Sequence, residues 1–261
     1  MEEKILICED SLEGVFTAIY EVYRRHLPRE TVRIQTGEDE NYRLFAEYIR
    51  IETDTARAVK VMRTLRERFG EDTYKDLCMA LTTADADKAQ AVYRTAAWGL
   101  DECDTAKQGH VMDHLADPYV HKVMQLSRRA CNELNHLKEF LRFQELRTGI
   151  LYAKIGPRDN ILPMLTPHFA DRLPAEDFII YDDKRDVAAV HPAMGEWYLA
   201  SGVQEDMEKL EGGFSEKEEE YQELFRYFCH KISIKERENL ELQRNMLPIR
   251  FRKYMTEFIP E

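Results

Sequence analysis

His168-Phe169-Ala170-Asp171-Arg172 sets an imidazole three residues before a carboxylate, so that on one short helix the two could serve as base and orienting acid. Asp182-Asp183 offers a second arrangement, a paired acid site, and Lys184-Arg185 follow it directly. Both runs also satisfy plainer demands. Asp182-Asp183-Lys184-Arg185 is a polar turn of the kind that joins two strands, and His, Asp and Arg together can form a polar network that fixes a helix against a sheet. His110 and His114, with Asp113 between them, have the spacing of two imidazole ligands on one helix face, with His121 the nearest third. No Glu follows His110 as a metalloprotease base would require, so a polar helix surface is the better reading and no metal is expected.

The cysteines Cys8, Cys78, Cys103, Cys131 and Cys229 lie far apart and are odd in number, which argues against a disulfide framework and a thiolate zinc site. They read as thiols serving as small hydrophobes in a reducing cytoplasm. Their spacing excludes a radical-SAM iron-sulfur motif, which needs clustered thiolates. No Gly-rich helix-hairpin-helix turn is present, no lysine stands out as a nucleophile, and no cofactor signature is found.

The elements that must position these groups follow from periodicity. Lys4 to Cys8 and Thr31 to Gln35 read as short strands, and between them Leu12, Val15, Phe16, Ile19, Tyr20 and Tyr23 repeat as one helical stripe, with Asp10 and Glu13 as a capping pair. From about 53 to 100 the pattern is helical, broken at Gly70. A long helix is expected over 119–143, with Val123, Leu126, Ala130, Leu134, Leu137 and Leu141 on its apolar row and Arg128, Arg129, Lys138 and Arg142 on its basic face. Two hairpins are expected next. One joins 150–155 to 161–165 through Gly156-Pro157-Arg158-Asp159, with Pro163 marking an edge, and the other joins 178–181 to 187–191. Between them Thr166 would cap a short helix with Pro167 at its first position. Tyr221, Leu224, Phe225, Phe228 and Ile232 then form a helical stripe, and Phe251, Tyr254 and Phe258 another, with Arg250 and Lys253 outside it.

The expected class is therefore α+β, mostly helical, with a small antiparallel sheet of two hairpins and a short N-terminal strand pair. Residues 1–117 and 118–261 form two parts, or one continuous domain. The start of the chain lacks the marks of a secretory leader, and no apolar run approaches the roughly 18 residues of a membrane span. Net charge is −12, against tight polyanion binding over the whole surface, but its distribution is uneven. Residues 1–120 hold 16 basic against 24 acidic groups, 121–172 hold nine against five, and 224–253 eight against three. The separator, 204–223, carries nine acids and two bases and includes Gly212-Gly213, so it reads as a solvated connection.

The runs Asn132-Glu133-Leu134-Asn135-His136-Leu137-Lys138-Glu139-Phe140-Leu141-Arg142-Phe143, Tyr152-Ala153-Lys154-Ile155-Gly156-Pro157, Pro167-His168-Phe169-Ala170-Asp171-Arg172 and Ile180-Tyr181-Asp182-Asp183-Lys184-Arg185 are joined by Ile234-Lys235-Glu236-Arg237-Glu238-Asn239 and Leu242-Gln243-Arg244. Together they resemble domain-of-unknown-function family 4130. With Glu9-Asp10-Ser11-Leu12-Glu13-Gly14 the resemblance spans essentially the whole chain. It implies DNA metabolism or repair, a gene neighbour that is a DNA-modifying radical-SAM protein and, in other architectures, fusion to a uracil-DNA glycosylase domain. It carries over no catalytic residues. The expectation is a cytoplasmic accessory protein that docks the radical-SAM partner and contacts DNA through Lys138, Arg142, Arg158, Arg172, Lys184 and Arg185. The alternatives are a glycosylase-like or hydrolytic enzyme using His168 and Asp171, with a pocket beside His168 for an extruded base, and a pure interaction scaffold.

Overall fold

The computed structural model describes residues 3–37, 43–101, 110–210 and 213–258; Cys103, Gly212 and the first two residues lie outside this set. The fold is α+β, 56% helical, with nine helices and two sheets among the described residues. It divides into two compact units, Met1–Cys131 and Asn132–Glu261.

In the first unit, β1 (Glu3–Cys8) leads into α1 (Leu12–Arg24), which returns the chain to β2 (Val32–Thr36). Such a crossover makes the neighbouring strands parallel, and Lys4 pairs with Val32 and Cys8 with Thr36. The expected strand pair is joined by a third strand, β3 (Ala46–Arg50), also parallel to β1, giving the order β2-β1-β3. The cap of α1 is Ser11, whose hydroxyl accepts from the Gly14 amide at 3.0 Å, not Asp10, which pairs with Lys88. Val15, Phe16, Ile19 and Val22 enter the core together with Leu6 and Ile34. Against it pack α2 (Thr55–Leu81), α3 (Lys88–Asp101) and the start of α4 (Pro118–Phe140), through residues such as Leu65, Leu77, Val92 and Val123. Gly70 interrupts α2 at φ 82°. Glu21 is buried on α1, and paired hydrogen bonds from Arg24 hold its carboxyl down to about 2, against the desolvation of its burial; Arg25 and Arg57 also reach it.

In the second unit a five-stranded sheet has the order β4-β5-β6-β7-β8, from β4 (Gln144–Glu145), β5 (Leu151–Ile155), β6 (Phe178–Asp182), β7 (Val187–His191) and β8 (Tyr198–Ser201). The β6–β7 hairpin is as expected, Phe178 pairing with His191 and Asp182 with Val187. The first expected hairpin is not formed. Residues 161–165 open a helix, α5 (Leu162–Arg172), and β5 pairs with β6 in parallel, Leu151 with Phe178 and Ile155 with Asp182. The sheet is therefore mixed rather than antiparallel. The helix starts earlier than expected, and Pro167 lies inside it while the Thr166 hydroxyl donates to the Leu162 carbonyl. Leu162, Leu165, Thr166 and Phe169 form its buried stripe. The other sheet face carries Tyr152, Ile179, Tyr181 and Ala188 under Met207 of α6 (Gln204–Leu210). The C-terminal part consists of α7 (Glu216–Ile232), α8 (Leu240–Met246) and α9 (Ile249–Arg252). No helix among the described residues is long and apolar enough to cross a membrane.

Candidate nucleic-acid interface

Because β5 and β6 run in parallel, both end at the same edge of the sheet, and the loops that follow them are neighbours. In parallel segments this carboxyl edge is where ligands are usually bound. The Asp183 amide donates to the Ile155 carbonyl at 3.0 Å, which holds Gly156-Pro157-Arg158-Asp159 beside Asp182-Asp183-Lys184-Arg185. Arg185 ties the two loops together. Its guanidinium donates to the Pro157 carbonyl at 3.2 Å, to the Arg158 carbonyl at 2.6 Å and to Asp182 at 2.9 Å. Asp182 is fully buried, and burial raises its pKa against the opposing charge of Arg185.

A helix and the C-terminal segment close the arrangement from two sides. Glu133 on α4 is 2% exposed and accepts from the backbone amides of Arg158 and Asp159 at 3.0 and 2.9 Å, while Arg250 pairs with it at 3.0 Å. The Tyr254 hydroxyl donates to both oxygens of Asp183, at 2.8 and 2.9 Å, and Lys253 lies 3.7 Å from the same carboxylate. Burial and the adjacent carboxylate push the Tyr254 phenol up, so it stays a donor at any physiological pH. Gly156 leaves the space this contact needs, since a Cβ there would collide with the Tyr254 hydroxyl and come 2.6 Å from Asp183. The outcome is a set of carboxylates engaged within the fold, with the side chains of Arg158 and Lys184 exposed above them and those of Arg250 and Lys253 about half exposed.

The six basic residues expected at an interface are thus divided. Arg158, Lys184 and Arg185 come together at this edge, with Arg185 committed to the scaffold. Arg142 is engaged elsewhere, paired with Glu257 at 2.8 Å, and Lys138 is half-buried on α4. Arg172 is exposed at the far end of α5, the helix that carries the chain from the carboxyl end of β5 back to the start of β6, so it belongs to the opposite edge. His168 is half-buried with its ring edge-on to Phe169, and Asp171 is exposed. Phe169 and Tyr181, the aromatics that would line a base pocket, are both buried, Phe169 against Phe143. A groove of about 580 Å³ in this unit is lined by Ile232, Ile234, Leu240 and Met246, among others, and not by His168.

Glu133, Arg250, Lys253 and Tyr254 complete the site without standing out as site residues in the sequence. Glu133 lies in the motif run at 132–143, and Arg250 and Lys253 fall off the apolar stripe around them, which is the only local signal they carry. Among the candidate metal-ligand positions, His114 stacks on Trp98 at 4.5 Å and His110 meets Asp113 at the surface. No group of three or more His, Cys, Asp or Glu side chains among the described residues is placed to hold a metal ion. Cys8 and Cys78 are buried, and desolvation raises their thiols to about 12 and about 11.

Residues 86–257 match the family model of DUF4130, a domain of unknown function. The chain belongs to this family. The DUF4130 match takes in the whole five-stranded sheet, Glu133, both loops and the Arg250–Tyr254 segment, and leaves out β1 to β3. No curated protein matches the chain. A solved DHH-domain structure, described as a member of a family of ribosomal proteins, is 9% identical, with 78% of this chain and 75% of that chain covered at a TM-score of 0.29. A likeness at that level carries no argument about fold or function.

Proposed function

We propose that this DUF4130 protein is an accessory factor of DNA repair or modification that holds a nucleic-acid backbone at the carboxyl edge of β5 and β6 and works beside a radical-SAM partner. The observation that carries the reading is the convergence of Arg158, Lys184, Arg250 and Lys253, from three separate segments, over carboxylates engaged within the fold, Glu133 in part by Arg250 and Asp183 in part by Lys253. The exposed Arg158 and Lys184 side chains can pair with phosphates, Arg250 and Lys253 add positive charge beside them from within their ion pairs, and phosphate contacts supply most of the affinity of sequence-independent binding. The partner rests on the resemblance of the motif runs alone. Contact through a rigid edge asks no chemistry of His168 and Asp171.

Fluorescence anisotropy with labelled single- and double-stranded DNA at low salt tests the interface. The combined Arg158→Ala and Lys184→Ala variant is expected to lose about tenfold in affinity or more with its circular dichroism unchanged. Arg172→Ala, at the opposite edge, is expected to bind as the parent does. A parent protein with no affinity for either form of DNA removes the proposal. Co-purification with the radical-SAM protein tests the partner separately, and turnover of damaged DNA by the isolated chain would replace the accessory role with a catalytic one.

A further inference from the structure

α7 is held to its unit along one side only. Ser215 caps it by accepting from the Glu218 amide, Glu218 accepts from the Glu145 amide at 3.0 Å, and the Arg142 guanidinium lies 5.9 Å from the Phe225 ring. The opposite side is apolar and open. Tyr221, Leu224, Tyr227, Phe228 and Ile232 are each more than half exposed, and no residue of α7 is buried. At 100° per residue these five side chains share one face about 140° wide, in which Glu220 and Lys231 sit together between Tyr227 and Leu224, and Lys217 lies between Leu224 and Phe228. Isolated exposed hydrophobes need no explanation, but a continuous helical face of five marks an interaction surface.

The charges say what covers it. The first half of α7 carries Glu216, Glu218, Glu219, Glu220 and Glu223 against Lys217, and the second half carries Arg226, His230 and Lys231 with no acid. A second α7 laid parallel would set acid on acid. Laid antiparallel, it sets the acidic half of each helix on the basic half of the other, and Glu220 of one falls opposite Lys231 of the next. One surface thus supplies both complements, which is what a two-fold interface requires. We infer that the chain associates with a second copy through α7 packed antiparallel on α7.

Analytical ultracentrifugation of the full chain across a micromolar dilution series reads this directly. The parent is expected to be a dimer that dissociates on dilution, and Leu224→Glu with Phe228→Glu is expected to be monomeric with unchanged circular dichroism, because neither side chain is buried within its own chain. Glu220→Lys should raise the dissociation constant several-fold, and adding Lys231→Glu should restore it, since exchange of the two charges preserves an antiparallel pair. A parent that stays monomeric throughout, or a Leu224→Glu and Phe228→Glu variant that remains dimeric, overturns the inference. Failure of the charge exchange to restore what Glu220→Lys loses overturns the antiparallel arrangement.

Discussion

Arg185 holds the two loops of the proposed interface in register, and its partner Asp182 is sealed from solvent. Breaking a buried pair by removing one member leaves an uncompensated charge, at a cost of about 3 kcal/mol or more. The dependence on pH has a definite sign. Burial raises the folded pKa of Asp182, so the folded state holds that proton more tightly than the unfolded chain, and stability falls as pH climbs through the interval between the two values. Arg185 offsets that loss when Asp182 is ionised and does little when it is protonated. Arg185→Ala is therefore expected to destabilise by about 3 kcal/mol at neutral pH and by clearly less near pH ~4, read as the difference from the parent in urea unfolding. An equal loss at both pH values would show that Arg185 acts through its carbonyl contacts alone.

At the scale of elements, Gly70 is the clearest case of a residue chosen for its backbone. It adopts φ 82° inside α2, and a Cβ there would meet nothing within 4 Å, so the strain of a side chain would be conformational only. Gly70→Ala is expected to cost roughly 1–3 kcal/mol in thermal unfolding, without loss of helix content. The break is legible because periodicity stops at a glycine. The β6–β7 hairpin is legible too, since an apolar run, a polar turn and a second apolar run are local signals. At 161–165 the local signal misleads. Ile161-Leu162-Pro163-Met164-Leu165 is too short for its period to separate strand from helix, and only extension to Phe169 shows the stripe of Leu162, Leu165, Thr166 and Phe169. Pro163 fits an edge strand by itself, whereas in the fold it marks a helix start. The same ambiguity hides the parallel pairing of β5 with β6, and with it the shared edge on which the interface is built. The parts of the site contributed by Glu133, Arg250 and Tyr254 depend on contacts between distant segments, which no local pattern encodes.

For the molecule as a whole, a net charge of −12 means that DNA held at the proposed interface would be attracted by a local field and repelled by the rest. Binding through four cations should therefore fade quickly with salt, with log K falling against log salt at a slope of about −3. A slope of twice that size would require a broader surface than the edge of β5 and β6. Periodicity along the chain is enough to place it among mostly helical α+β folds, but not to say that its first sheet is parallel or its second mixed. The position of β6 in that second sheet has a further consequence for the timing of its motions. All five of its residues are buried and it is flanked by β5 and β7, whereas β8 stands at the margin with Tyr198 and Leu199 about half exposed. Measured by hydrogen–deuterium exchange, the amides of Phe178–Asp182 should wait for global unfolding, while those of Tyr198–Ser201 that face outward should be replaced early, so the loops of the interface are anchored to the slowest-opening strand of their sheet.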